Sequence, residues 1–553
     1  VHYREESAVN EWKQDTEKDQ RNGEFLFSSV MAIYNMEDYL REAVDSILQQ
    51  TIGFEENIQL ILVDDGSTDG SSAICDEYAK EYPNNIIAIH KENGGVSSAR
   101  NEGKKKATGR YVNFPDPDDY FDLDAYERVG VFFEEHYNET DVVCIPIVMF
   151  GEKEGEYWQN YKFRKGKRII DLRKEWEVSC MNSTCSFIKN VKAIDVDFDE
   201  ELVMSEDTKY LTEILCDKMT LGVVGNCRYW YRIRDNSTIR KAKEDRRTYF
   251  PIQNRLQQYI IKKCVEELGY VPQYVQNILM MDIGWKIRAV EYPEEAMSKE
   301  DTKQYLKYML SLVETFDDEV ILRQRNIYWE HKYFLFKRKY GEDLKLEPVY
   351  LDINYLLYGQ VLRKMSQLRM VVENLCIEKD ELYVSGYIPL IGIDDNANVQ
   401  VAYAIDDKVY LMKNREPTEG VKEIIESVCG KLCKRYFFDG RIPVFDEYFG
   451  KNIVFYLLVD NHPVWMKNIG FGERAPFSGK WKNEYYISDE YFVKQRSDSL
   501  KIGLLEKESD IKKLEDDFKK EIRDTLKKKS KNPMFENSPE KQQLEELLNL
   551  ASG

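Results

Sequence analysis

The feature that most restricts the fold is an alternation near the start of the chain. From Phe25 to about Val148, short apolar runs take turns with amphipathic stretches. "FLFSSVMAI" reads as a buried strand. "YNMEDYLREAVDSILQQT" follows and sets Leu40, Ala43, Val44, Ile47 and Leu48 on one helical face. Asn35, three residues before Asp38, is expected to cap that helix. "NIQLILVDDGSTDG" is a strand entering a turn, "SSAICDEYAKEYP" a helix and "NIIAIH" a strand. "SSARNEGKKKATG" is a further helix and "YVNF" a further strand. Strands that alternate with helices build a parallel sheet with helices on its faces. Ligands bind such sheets beyond the carboxyl ends of the strands. Two acidic clusters, Asp64-Asp65 and Asp116-Pro-Asp118-Asp119, each come directly after a strand. Both are therefore expected on one rim of the sheet.

Beyond this segment the texture changes. Residues from about 150 to 240 are mixed. From about 244 to 341, "RLQQYIIKKCVEEL", "YVQNILMMDIGWKIRAV", "TKQYLKYMLSLVETF" and "EVILRQRNIYWEHKYFLFKRKYG" carry helical apolar spacing, with Gly269 and Gly341 as stops. From about 369 to 495, "ELYVSGYI", "VQVAYAIDDKVYLM" and "NIVFYLLVDNHPVWMKNI" alternate around turn signals, the pattern of a β-sandwich-like module. The expected organisation is a polar segment (1–24), an α/β domain (25–242), a helical region (243–350), a β-rich module (351–497) and a charged helical tail (498–553). In the tail Ile511, Leu514, Phe518, Ile522 and Leu526 recur every three or four residues.

Composition removes several function classes. The chain carries 79 Lys and Arg against 99 Asp and Glu, a formal net charge of −20, so no nucleic-acid partner is expected. The cysteines are scattered and "CGKLC" (Cys429, Cys433) has no partner pair, so neither a disulfide framework nor a zinc site is indicated. No apolar run approaches the ~18 residues that span a bilayer. The first residues are polar and charged, unlike a secretory signal. A cytoplasmic protein is expected, with any membrane contact peripheral and at the inner face of the cell membrane.

Asp116, Asp118 and Asp119 repel one another unless something compensates them. One account is a solvated turn, since Asp and Pro are common there. The other is a divalent cation, which prefers carboxylate oxygen and bridges to a diphosphate. Asp65 is placed to accept from a donor N–H such as a nucleobase imide. The glycines of "ENGGVSSARNEG" permit close backbone approach, and Arg100 pairs with either a diphosphate or a carboxylate. Glu206-Asp207 reads either as ordinary helix-start acids or as a proton acceptor.

In this order, "SVMAIYNMEDYLREAVDSILQQT", "ILVDDGSTDGS", "NGGVSSARNEGKKKATGRYVNFPDPDD" and "SEDTKYL" closely resemble family-2 glycosyltransferases of the GT-A fold, across about residues 25–240. The resemblance implies a Rossmann-like mixed sheet, a nucleotide-sugar donor (a UDP-sugar first) and Mn2+ or Mg2+. It puts Asp116 and Asp118 at the metal, and Ala32, Tyr34, Asp65, Asn93, Arg100 and Asp116 along the nucleotide. It makes Asp207 the base of a single inverting displacement. "YWYRIRDNSTIRK" reads either as a mixed surface strand or, as the resemblance implies, as a segment that brings Arg234 and Ser237, with Arg240, over the diphosphate. Ala32 departs from a frequent Pro and Pro115 from the usual Leu, which leaves the base open. The absence of a Gln-x-x-Arg-Trp motif argues against a processive synthase.

The helical and β regions are similar to those of bacterial capsule- and teichoic-acid-type enzymes, some fused to a CDP-glycerol glycerophosphotransferase. The expected reaction is sugar transfer to a hydroxyl of a growing surface polysaccharide or lipid-linked glycan acceptor. Two alternatives stand beside it: an inactive, carbohydrate-binding assembly module, and the N-terminal half of a bifunctional polymerase. Trp465, Tyr485 and Tyr486 either stack sugars or fill a core. "LKKKSKNP" and the tail raise membrane-surface contact and self-association as open expectations.

Overall fold

A computed structural model of the chain describes residues 25–504, except 235–244, 342–344, 358, 379–380, 418–421, 445–447, 472–479, 483–484, 488–490 and 496–497. Ser237, Arg240 and residues 505–553 of the tail lie outside the described residues. The opening strand β1 (Phe27–Ile33) and its neighbour β2 (Ile58–Asp64) are buried almost throughout. That burial is why they read as unbroken apolar runs, as strands covered on both faces do. Helix α1 (Leu40–Leu48) lies between them in sequence and buries Leu40, Ala43, Val44 and Ile47. Helix α2 (Ser71–Glu81), strand β3 (Ile86–His90), helix α3 (Val96–Lys104) and strand β4 (Tyr111–Asn113) continue the alternation.

Asn35 does not cap α1. A turn separates them, and α1 starts only at Leu40. Asn35 sits at φ 53°, a left-handed conformation that Asn tolerates. Its backbone N–H donates to Ser67 Oγ at 3.0 Å, and its Oδ1 accepts from the Thr68 N–H at 2.8 Å. The residue clamps the turn after β2 instead of starting a helix.

After strand β5 (Tyr120–Phe121) and helix α4 (Ala125–Glu135), the chain adds strands β6 (Val142–Cys144), β7 (Ile147–Gly151), β8 (Arg168–Asp171) and β9 (Ser186–Lys189). Helix α5 (Glu206–Lys218) and strands β10 (Thr220–Val223) and β11 (Tyr229–Ile233) complete the α/β part. The main sheet has the order β3-β2-β1-β4-β9-β6-β10-β8. Its first four strands are parallel, with Ala32 beside Val63 and Phe27 beside both Ile58 and Tyr111. Strand β9 runs antiparallel to both β4 and β6, which makes the sheet mixed. A smaller sheet joins β5, β11 and β7 and extends to Gly155–Glu156.

Helices follow: α6 (Tyr259–Leu268), α7 (Gln273–Ile287), α8 (Lys299–Val313), α9 (Asp318–Arg323) and α10 (Trp329–Tyr340). Helix α7 is apolar nearly all round and buries twelve of its residues. It is the central helix of this region, as all-round burial requires. Three β-sheets come next, and Val384 and Phe438 of one share a core with Phe455 and Leu457 of another. Strands run from Lys345–Val349 to Ser499–Leu504, so the β texture passes both ends of the expected 351–497 module. The first of these strands is mostly exposed and contains Pro348, which hides it from an apolar pattern. Among the described residues, no helix is long and apolar enough to cross a membrane.

Candidate active site

Strands β2 and β4 flank β1 in parallel, so their carboxyl ends share one rim. Asp64, Asp65 and the Asp116–Asp119 cluster gather there. Asp64 is a structural acid: its carboxylate accepts from the Ser67 N–H and His90 Nδ1, both at 3.0 Å, and from Ser72 Oγ. Burial pushes its pKa up, but these bonds outweigh it and hold the group below the usual carboxylate range. Asp65 is buried as well. Its Oδ1 accepts from Lys91 Nζ at 2.7 Å and the Gly94 N–H at 2.9 Å, and its Oδ2 from the Gly95 N–H at 2.7 Å. It thereby fixes the glycine loop that opens α3, and one of its roughly four acceptor positions remains for a ligand.

Ala32 sits near the end of β1, half-buried, and Tyr34, two residues on, is 47% exposed. Asn93 is exposed and its backbone lies against Gly66, where an added Cβ would stand 3.0 Å from the Asn93 nitrogen. Gly66 has φ +75°, so close approach and backbone angle both require glycine there.

Arg100 organises the centre. It projects from α3 and is only 3% exposed. Its Nη1 donates to Asp207 at 2.7 Å and to Glu206 at 3.4 Å, while its Nη2 donates to Asp116 at 3.0 Å. The guanidinium also lies 5.2 Å from the centre of the Phe198 ring. One buried cation thus joins the acid cluster after β4 to the acids at the start of α5. Of the two partners open to Arg100 in the sequence, the described residues supply the carboxylate.

The second arginine is Arg234, whose Nη2 pairs with Asp118 at 2.6 Å. It lies over the Tyr39 ring at 4.9 Å, and Arg232 lies over the same ring at 5.0 Å. Arg232 donates its N–H to Asp119 at 2.8 Å and its Nε–H to the Asp118 carbonyl at 2.9 Å. The other Asp119 oxygen is buried and without a partner among the described residues.

Burial and mutual repulsion govern how these acids titrate. Burial raises Asp116 to about 6, Arg100 opposing it and Asp118 and Asp207 adding to it. Asp118 is raised by burial against the pull of Arg234, and Asp119 well above the usual range by burial and by Asp118 and Asp116. Glu206 goes to about 8, from burial and the adjacent Asp207 charge, with Arg100 opposing. Glu206 therefore holds its proton toward neutral pH, which reduces the negative charge that Arg100 must offset.

Asp207 is held on both oxygens. Ser183 Oγ donates to its Oδ1 at 2.8 Å and the Ser183 N–H to its Oδ2 at 3.0 Å. Tyr229 closes the other side, its hydroxyl accepting from the Asp116 N–H at 2.9 Å. Ser183 lies in no motif that would single it out, and Tyr229 opens the stretch "YWYRIRDNSTIRK", in which only Arg234, Ser237 and Arg240 are assigned a contact. Each reaches the centre from a distant part of the chain. Among the described residues, no three His, Cys, Asp or Glu side chains stand together as a metal-binding group.

Residues 28–196 match the family model for Glycosyl transferase family 2. The minor teichoic acid biosynthesis protein GgaB of Bacillus subtilis (strain 168) is 36% identical over 65% of this chain, which spans only 41% of GgaB. GgaA of the same organism, also named a minor teichoic acid biosynthesis protein, is 29% identical over 56% of this chain and 71% of its own length. The crystal structure of S. aureus TarS aligns over 86% of this chain and 85% of TarS, with a TM-score of 0.51 and 14% identity, a likeness of fold. The parallel strands, the glycine loop, Arg100 and the Asp116–Asp119 cluster all lie within the matched segment, and that segment is a domain of glycosyl transferase family 2.

Proposed function

We propose that the chain is an inverting glycosyltransferase that moves a sugar from a nucleotide-sugar, a UDP-sugar first, to a hydroxyl of a cell-surface polymer of the teichoic-acid kind. The names of the relatives GgaB and GgaA support the polymer class. The observation that carries the reading is Arg100, which joins Asp116 to Asp207 through one buried guanidinium. That contact brings the proposed donor acid and the proposed base into a single centre.

Asp207 takes the proton of the acceptor hydroxyl as its oxygen bonds to the anomeric carbon. The bond from that carbon to the donor phosphate breaks, and the nucleoside diphosphate leaves with the electron pair. Ser183 and Arg100 aim the carboxylate, as a positioned general base requires. Ala32, Tyr34, Asp65 and Asn93 line the nucleotide, while Arg234 and Ser237 cover the diphosphate. Ser237 lies outside the described residues.

Asp116 and Asp118 would hold Mn2+ or Mg2+. Their chemistry fits, because both are hard oxygen donors and the neighbouring Asp119 oxygen is buried without a partner. Mg2+ is commonly held by one or two protein carboxylates, which these two aspartates would supply. The cation would offset the charge that builds on the leaving diphosphate. Arg100 and Arg234 compensate the two acids in the structure. Transfer is assigned to residues 25–242, in the cytoplasm or peripherally at the inner membrane face, with 243–350 and 351–497 as its support.

The test is calorimetric titration with UDP, CDP and GDP, in Mn2+ and then in EDTA, on wild type and Asp207→Asn. The expected result is metal-dependent binding of one nucleotide by both proteins. Transfer by the variant should fall by about 10²–10⁴-fold, the range for losing a positioned base. A folded wild type that binds none of the three would favour an inactive assembly module.

A further inference from the structure

Beside the centre lies a surface that its chemistry leaves unused. Trp158, from the α/β part, and Trp285, near the end of α7, meet edge to face with ring centres 6.4 Å apart. They are 39% and 54% exposed, and Tyr328, which Arg288 joins to Trp285, is 57% exposed. Arg288 lies between two of these rings, 5.2 Å from Trp285 and 4.4 Å from Tyr328. Arg325 lies 3.9 Å over the Tyr161 ring. Neither arginine forms an ion pair with any described residue. The hydrogen bonds of Arg288 go to the Asn326 carbonyl at 3.0 Å and the Tyr328 hydroxyl at 2.7 Å, both neutral.

This surface is tied to the residues that hold Asp207. Asp282, one helical turn before Trp285, accepts from Ser205 Oγ at 3.3 Å, and Ser205 directly precedes Glu206-Asp207. On the other side Gln159, next to Trp158, donates to Met181 Sδ at 3.6 Å, two residues before the Ser183 that aims Asp207. Both tryptophans thus stand on segments that border the proposed base.

Exposed aromatic faces stack on the C–H faces of sugars and polyols, and guanidinium forks match phosphate oxygens. A chain of net charge −20 repels an anionic polymer elsewhere on its surface, so unpaired arginines localise one. We infer that Trp158, Trp285 and Tyr328, with Arg288 and Arg325, bind the acceptor as a polyol or sugar chain bearing phosphodiesters. The inference rests on the transferase reading above. It places acceptor contact at the junction of the α/β and helical parts. Trp465 of the β module is only half-exposed, and the side chains of Tyr485 and Tyr486 lie outside the described residues.

The test uses the full chain and four probes: a synthetic glycerol-phosphate hexamer, maltohexaose, a thymidine hexanucleotide, and UDP with Mn2+. Wild type should bind the glycerol-phosphate hexamer more tightly than the other two oligomers. Trp285→Ala and Arg325→Gln, both at exposed positions, should each weaken that binding about tenfold, equivalent to about 1.4 kcal/mol. UDP binding should be unchanged, which also shows that the variants fold. Wild-type affinity in both variants would overturn the inference. So would no hexamer binding by wild type, or equal binding of maltohexaose or the hexanucleotide. Loss of UDP, CDP and GDP binding by wild type, with hexamer binding kept, would instead overturn the transferase reading and leave this surface standing.

Discussion

Arg100 sets what the acids around it can do, because three carboxylates share one buried cation. Removing it leaves those acids uncompensated, and breaking a buried pair in this way costs about 3–5 kcal/mol. Arg100→Met should therefore lose about that much stability in urea unfolding at pH 7.5, and less at pH 5, where Asp116 and Glu206 hold protons. A second prediction concerns the protons themselves. Folded Asp116 titrates at about 6 and Glu206 at about 8, above their ordinary values of 3.8 and 4.5. The folded state thus binds more protons than the unfolded state between these limits, so stability falls as pH rises. The contribution is full below about pH 4 and is lost as pH passes about 6 and then about 8. Urea midpoints measured from pH 5 to 8.5 should fall, and Glu206→Gln should flatten the upper part of that fall. An unchanged slope in the variant would remove Glu206 as its source. At this scale the acids were legible because they crowd against strand ends, and Arg100 because it follows a glycine loop. Ser183 and Tyr229 were not. Their polar atoms matter only after folding brings residues 183 and 229 to residues 207 and 116.

Arg100 is only as well placed as the helix that carries it. Helix α3 lies against β1 and β2 through Gly103, where an added Cβ would run into Val30 and stand 3.0 Å from Val63. That crowding involves buried, close-packed side chains, so the helix must move to admit a larger residue. Gly103→Val should cost about 1–3 kcal/mol, as overpacking does. It should also weaken metal-dependent nucleotide binding, because Arg100 lies one turn away on the same helix. Thermal unfolding together with UDP titration checks both effects. Unaltered nucleotide binding in a destabilised variant would show that α3 shifts without carrying Arg100. The parallel strands were readable because burial on both faces turns them into apolar runs. The antiparallel β9 was not, since Ser186–Lys189 is fully buried yet contains Ser and Lys. Its place between β4 and β6 comes from pairing with strands far off in sequence. Asn35 misled for a related reason: its spacing to Asp38 looks like a cap, but its partners are in the turn after β2.

Across the whole molecule the change of texture near residue 244 marks a change of architecture without marking a break in the core. A single buried cluster includes Val112 and Cys144 of the main sheet, Tyr274 and Ile278 of α7, and Leu382 and Phe455 of the β region. Periodicity reports the local element and is blind to what covers it, so the continuity of this core was not legible. Tyr274 tests whether the continuity matters. Its ring is fully buried and its hydroxyl has no hydrogen-bond partner among the described residues. An unsatisfied buried hydroxyl is unfavourable, so Tyr274→Phe should be neutral or stabilise by up to about 1 kcal/mol. Tyr274→Ala instead opens a cavity and should cost about 3–5 kcal/mol. If the core acts as one body, that loss reaches the sheet. Amide exchange at Val143 and Leu221 should then accelerate along with exchange at Leu279 and Ile283 within α7. Acceleration confined to α7 would mean that the helical region unfolds by itself. In that case the tryptophan pair, formed only where α7 meets the α/β part, would be a separable contact instead of a fixed wall of the site.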